Sequence, residues 1–128
     1  MWFDILKSNV YYYVTSSIYA KVVIDTQKIP SEQKQPMELP WVSEQFKKAG
    51  EPKQILFWKD LDEAKLYAKH EGNSGTVILR CEIETKLDKW PRDILVHTPS
   101  HSGVDGPKLK SAYAYFGNED IEGKFEVV

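Results

Sequence analysis

Residues 76–85 alternate side chain by side chain, and that alternation constrains the fold more than anything else in the sequence. Val77, Leu79, Cys81 and Ile83 fall on one side, while Ile78, Arg80, Glu82 and Glu84 fall on the other. In an extended chain successive side chains point to opposite faces, so this segment reads as a strand with one face on a core. Such a strand needs neighbours. Residues 54–58 form a short apolar run between turn signals and read as a buried strand. Residues 93–97, 111–116 and 124–128 are further strand candidates.

Between the first two strands lies the clearest helix. The Asp60 carboxylate can accept from free N–H groups at a helix start, and Glu63 stands three residues on, the spacing of a capping box. Leu61, Ala64, Tyr67 and Ala68 repeat at helical spacing before Gly72-Asn73 ends the element. A shorter helix is expected over residues 43–49, stopped by Gly50 and Pro52. Residues 17–27 admit two readings. Ile18, Ala20, Val22 and Ile24 alternate like a strand, and their β-branched members favour that reading. Ile18, Tyr19, Val22 and Val23 equally make a helical stripe, with Ser16 or Ser17 as N-cap. Residues 27–40 and 98–110, rich in Pro, Gly and polar residues, read as long loops.

Composition narrows the class. With 128 residues, 41% apolar and 28% charged, the chain has the size and content of one soluble α+β domain. The net charge of −2 is spread evenly over both halves, which argues against a phosphate-dominated nucleic-acid footprint. One cysteine, Cys81, excludes an internal disulfide framework; on the apolar side of its strand it reads as an inert core residue. No run approaches the ~18–20 apolar residues of a membrane span, and the first residues lack a signal-peptide pattern, so a cytoplasmic protein is expected.

The order of the segments resembles that of small ADP-ribosyltransferase-type domains. Tyr12-Tyr13-Val14-Thr15-Ser16-Ser17, running on to Gln27-Lys28-Ile29-Pro30, is similar to that family's first strand with its "Tyr-His-Xaa-Thr" stretch, helix and "Gly-Leu-Xaa-Pro" turn. Leu56-Phe57-Trp58-Lys59-Asp60-Leu61-Asp62-Glu63-Ala64-Lys65-Leu66-Tyr67-Ala68 resembles the next strand and its acidic-Ala-Tyr-Ala helix. The strand containing Leu79 and the ending Asp120-Ile121-Glu122-Gly123-Lys124-Phe125-Glu126-Val127-Val128 complete the likeness.

That resemblance implies a single domain of two small packed β-sheets with a few helices, cradling NAD between the sheets, and it turns residues 17–27 toward helix. Tyr13 stands in the place of the nucleotide-holding His, Thr15 matches as it is, and Tyr67 matches the helix tyrosine. Tyr13, Thr15 and Tyr67 are therefore the implied cofactor-binding residues. The family's late Glu falls on Ala114, which leaves Glu119, with Glu122 beyond, as the acid for the catalytic role. The implied function is binding NAD or an ADP-ribose nucleotide, with transfer of ADP-ribose to a macromolecule. The alternative is a non-catalytic module of the same fold acting on a protein, of the kind found in phage or mobile elements.

Plainer readings stand beside these. Tyr11, Tyr12 and Tyr13 also suit strand aromatics, and Tyr67 suits core packing. His97 and His101 are separated by Pro99, which breaks any helix that would bring them together, and no third ligand is near, so no metal is expected. Ser100, His101 and Asp105 lack a nucleophile-elbow pattern. Gly103 and Gly106 lack the Lys and spacing of a phosphate loop. Trp58 reads as core; Trp41 and Trp90 flank prolines, either being a candidate interface anchor.

Overall fold

The computed structural model describes residues 9–31, 35–36, 53–71, 75–90, 94–97 and 105–128. Strands β1 (Val10–Ser16), β2 (Lys28–Ile29), β3 (Gln35–Pro36), β4 (Lys53–Trp58) and β5 (Thr76–Ile83) are followed by β6 (Asp88–Lys89), β7 (Ile94–His97), β8 (Asp105–Leu109), β9 (Ala112–Tyr115) and β10 (Ile121–Val127). Helix α1 (Ser17–Thr26) follows β1, and α2 (Leu61–Glu71) follows β4. The expected helix over residues 43–49, Trp41, Ser100 and His101 lie outside the described residues.

An antiparallel sheet dominates, in the order β2-β10-β5-β1-β4-β9-β6, with β3 pairing β4 off that path and β7-β8 forming a separate two-stranded sheet. The molecule is thus α+β. Where two small packed sheets were expected, the described strands make one sheet of eight and one of two. The large sheet nevertheless has a narrow waist. β1 and β5 run in register from Val10↔Glu82 to Ser16↔Thr76, whereas β1 and β4 share the single position Tyr12↔Trp58. Beyond it the two strands diverge.

Residues 17–26 are helical because the ends are capped, not because the pattern decides. Ser16 Oγ accepts from the Tyr19 N–H at 3.1 Å, so of the two candidate caps Ser16 is the one used. Ala20 and Val23 are buried against the sheet. Gln27 closes the helix in the left-handed region at φ 54°, its N–H reaching Val23 O at 2.7 Å. The Gln27 side chain then bonds the edge of β10: Oε1 accepts from Phe125 N at 3.0 Å and Nε2 donates to Phe125 O at 3.2 Å. One amide thereby satisfies both outward groups of an edge residue, which a further strand would otherwise claim.

At α2 the Asp60 cap is present, with Oδ1 accepting from Asp62 N at 2.8 Å. The reciprocal half of the capping box is not. Glu63 Oε1 instead accepts from Lys110 N (2.7 Å), Ser111 N (2.8 Å) and Ser111 Oγ (2.9 Å). Asp60 N donates to that same hydroxyl at 3.2 Å. Helix α2 is therefore pinned to the segment entering β9.

The expected loop over residues 98–110 is partly a correction, because residues 105–109 form β8 against β7. Its Gly and Pro content reads as loop locally, and only the partner strand makes it a hairpin. Two strands of two residues likewise fall within residues 27–40.

Two cores lie on opposite faces of the sheet. Under α1 are Ala20, Val23, Ile29, Ile55, Phe57, Leu79, Cys81 and Phe125, with Tyr11, Tyr13 and Tyr113 packed on them. Under α2 are Trp58, Ala64, Trp90, Leu109, Ala112 and Ala114, with Tyr12, Val14 and Tyr67. Trp58 is core as expected, and Trp90, at 2% exposure, is core rather than an exposed anchor. Each fully buried aliphatic or Phe side chain contributes about 1.5–3 kcal/mol. No described helix is long and apolar enough to cross a membrane.

Candidate functional site

β1 carries the candidate site, and strand parity sorts its side chains. Tyr11 and Tyr13 pack with the α1 core, Tyr12 and Val14 with the α2 core. Thr15, two residues past Tyr13, shares the α1 side.

Tyr13 stands opposite Leu79 in register, with its ring centroid 5.6 Å from that of Phe57. Burial pushes its phenol up to about 12, the hydrogen bond to the Thr15 side chain works the other way, and Cys81 adds to the rise. At neutral pH Tyr13 is thus an uncharged phenol, able to offer a proton to a ribose hydroxyl or a carboxamide oxygen. It lies where β1 leaves β4, next to the only position at which those strands pair. Tyr11 is raised as well, chiefly by burial and secondly by Tyr113. Burial holds the Cys81 thiol far above its usual range, against a backbone hydrogen bond from Tyr13 and the nearby Arg80 charge, and its Sγ contacts Leu79 O at 3.5 Å. That thiol is inert.

The structure puts Tyr13 and Thr15 on the same side of β1 and Tyr67 on the other face of the sheet. Tyr67 belongs to the opposite face, its ring 5.0 Å from Trp58, so the tyrosine aligned with the family's helix position packs in the α2 core. Ala114, where the family's Glu aligns, is 1% exposed on that same face. Glu119 is exposed in the turn between β9 and β10. Its backbone is held there: Tyr115 Oη donates to Glu119 O at 2.7 Å and accepts from Glu119 N at 3.2 Å. A Cβ at Gly117 would lie 2.4 Å from Tyr115 Oη, so a larger residue there would displace that ring. Asp120 Oδ1 accepts from Ser31 N at 3.0 Å, tying the same turn to the segment after β2.

Sequence reasoning did not single out Tyr11, Phe57 and Tyr113 as one group. Each was legible as a strand aromatic, but the contacts among them need β1, β4 and β9 to lie side by side. A shallow groove of about 370 Å³ lies elsewhere, between Lys65 and Ala68 of α2 and the terminal Val127 and Val128. It includes none of these residues. Compared with family models, curated proteins and solved structures, the chain matches none.

Proposed function

We propose that this chain is an ADP-ribosyltransferase-like domain that binds NAD or a related ADP-ribose nucleotide on the α1 side of β1, with Tyr13 and Thr15 as its polar contacts. The observation that supports the reading is the placing of Tyr13 and Thr15 on one side of β1, with the Tyr13 ring 5.6 Å from that of Phe57, next to the position where β1 pairs β4. A neutral phenol backed by a hydroxyl is suited to a ribose or an amide.

Binding comes before transfer in this reading. Cleavage of the glycosidic bond builds positive charge on the ribose, and a carboxylate stabilises it where water is excluded. Glu119 is the acid proposed for that step, but it stands in solvent, and losing such a group costs ~10²–10³ in rate. The test is thermal unfolding with and without NAD and ADP-ribose. Ligand at ~100 times its dissociation constant adds ~2.7 kcal/mol and raises Tm by several degrees. Tyr13→Phe weakens binding by ~1 kcal/mol. No shift with millimolar ligand overturns the reading.

A second reading, a non-catalytic module acting on a protein, has its own observation. Ile18 and Val22, one turn apart on α1, are 82% and 44% exposed. On that reading NAD produces no shift, whereas Ile18→Glu abolishes the partner's binding.

A further inference from the structure

The two sides of β10 differ. Along its inner side it pairs β5 from Gly123↔Ile83 to Val127↔Leu79, and Val128 N continues that ladder to Ile78 O at 3.0 Å. Its outer side meets β2 only at Ile121 and Glu122. In an antiparallel ladder alternate residues turn their N–H and C=O to the same side. Phe125 turns outward, since both its groups meet the Gln27 amide, so Gly123 and Val127 turn outward with it. Gly123 N donates to Gln27 O at 3.4 Å. Beyond Glu122 no described strand pairs this outer side, and Val127 is 58% exposed.

The Gln27 carboxamide does at Phe125 what a residue of a neighbouring strand does. Oε1 accepts from Phe125 N at 3.0 Å while Nε2 donates to Phe125 O at 3.2 Å, the two-bond exchange of a hydrogen-bonded antiparallel pair. The other Nε2 proton goes to Ile24 O at 2.9 Å, which fixes the amide in this orientation. Turned over, it would set N–H against N–H and lose all three bonds. An unpaired edge invites a further strand, and the strand always present in solution is β10 of another copy. A two-fold axis at Glu126 would set each Phe125 opposite the other copy's Val127, with both residues' outward groups bonded. The same register sets Glu126 against its own copy, and like charges directly opposite are unfavourable.

We propose that Gln27 is a plug on the β10 edge: its amide stands in for a strand and keeps that edge from pairing with β10 of a second copy, with Glu126 as a second guard. None of the β1 residues in the nucleotide reading takes part.

The experiment is sedimentation equilibrium on wild type, Glu126→Gln, Gln27→Gly/Glu126→Gln, and that double variant with Val127→Pro added. Glycine suits the left-handed backbone of residue 27, at φ 54°, and proline at 127 removes only an outward N–H. Circular dichroism checks that each variant is folded. The expected result is self-association about tenfold tighter, or more, in Gln27→Gly/Glu126→Gln than in Glu126→Gln, and its loss on adding Val127→Pro. Equal association of the double variant and Glu126→Gln overturns the proposal, as does association that survives Val127→Pro. Amide hydrogen exchange on the wild-type chain tests the plug without any substitution. The Phe125 N–H should be protected although it lies on an edge, and the Val127 N–H should exchange fast. A Phe125 amide that exchanges as fast as that of Val127 overturns the proposal whatever the variants do.

Discussion

The two faces of the sheet are packed by different means. Under α2 the indoles of Trp58 and Trp90 fill hollows left by Ala64, Ala112 and Ala114, and none of these five exceeds 2% exposure. Under α1 aliphatic side chains make the floor, while Tyr11, Tyr13 and Tyr113 lie partly buried at its margin. Large-into-small packing leaves no room for a ligand among these five side chains. A margin of tyrosines supplies an apolar body and a hydroxyl at once. The site proposed on β1 uses that tyrosine margin of the α1 side. The α2 face even holds polar atoms at a cost: among the described residues, buried Trp58 Nε1 and Gln54 Oε1 have no hydrogen-bond partner.

The sharpest way to break this comparison is to place the family's acid where it aligns. Ala114→Glu inserts a carboxylate into the closed face, opposite Leu56 in register, and should destabilise the fold by several kcal/mol through overpacking and an unpaired buried charge. Urea unfolding measures it, and a well-folded variant with new transferase activity would mean that the faces are assigned wrongly. Next is Glu63→Ala, which removes an acceptor of three hydrogen bonds and loosens α2 from β9. A loss of about 2–3 kcal/mol is expected, with the protection of β9 amides from exchange falling alongside.

The α1 face has its own test in alkali. A phenol at about 12 in the folded chain and 10.0 when unfolded binds its proton more tightly when folded. Its contribution is then fully present below pH 10 and is lost as pH rises through 12, a decline of about 2 kcal/mol. Tyr13→Phe should flatten that part of the curve and leave the neutral-pH plateau nearly unchanged. The smallest effect concerns Gln27, whose amide bonds β10 but whose φ of 54° suits glycine. Gln27→Ala should cost about 2 kcal/mol and Gln27→Gly about 1 kcal/mol less, because only glycine adopts that conformation freely. Equal losses would show that the side-chain bonds carry the whole effect.

What the sequence determined by itself is local. The alternation around Leu79 and Cys81 forms a strand because neighbours two residues apart share a face. The Asp60 cap and the repeat through Ala64 form a helix because both features lie within a turn of each other. The αL conformation of Gln27, at φ 54°, is by contrast unusual for a non-glycine residue and was not readable from its type. What only the tertiary structure decided is pairing at a distance. Glu63 reaches Ser111, 48 residues on, rather than its own helix cap, and Gln27 reaches Phe125, 98 residues on. Residues 17–26, balanced between two periods, become helix where Ser16 and Gln27 cap the ends and Ala20 and Val23 bury against the sheet. Tyr13 and Tyr67, which the aligned motifs place in one site, are put on opposite faces by the parity of β1 and the side on which α2 docks. Periodicity and capping act through bonds and contacts a few residues apart, so they can be read along the chain. Which faces meet is settled only when distant segments pair, because the alternatives differ in burial rather than in any local pattern.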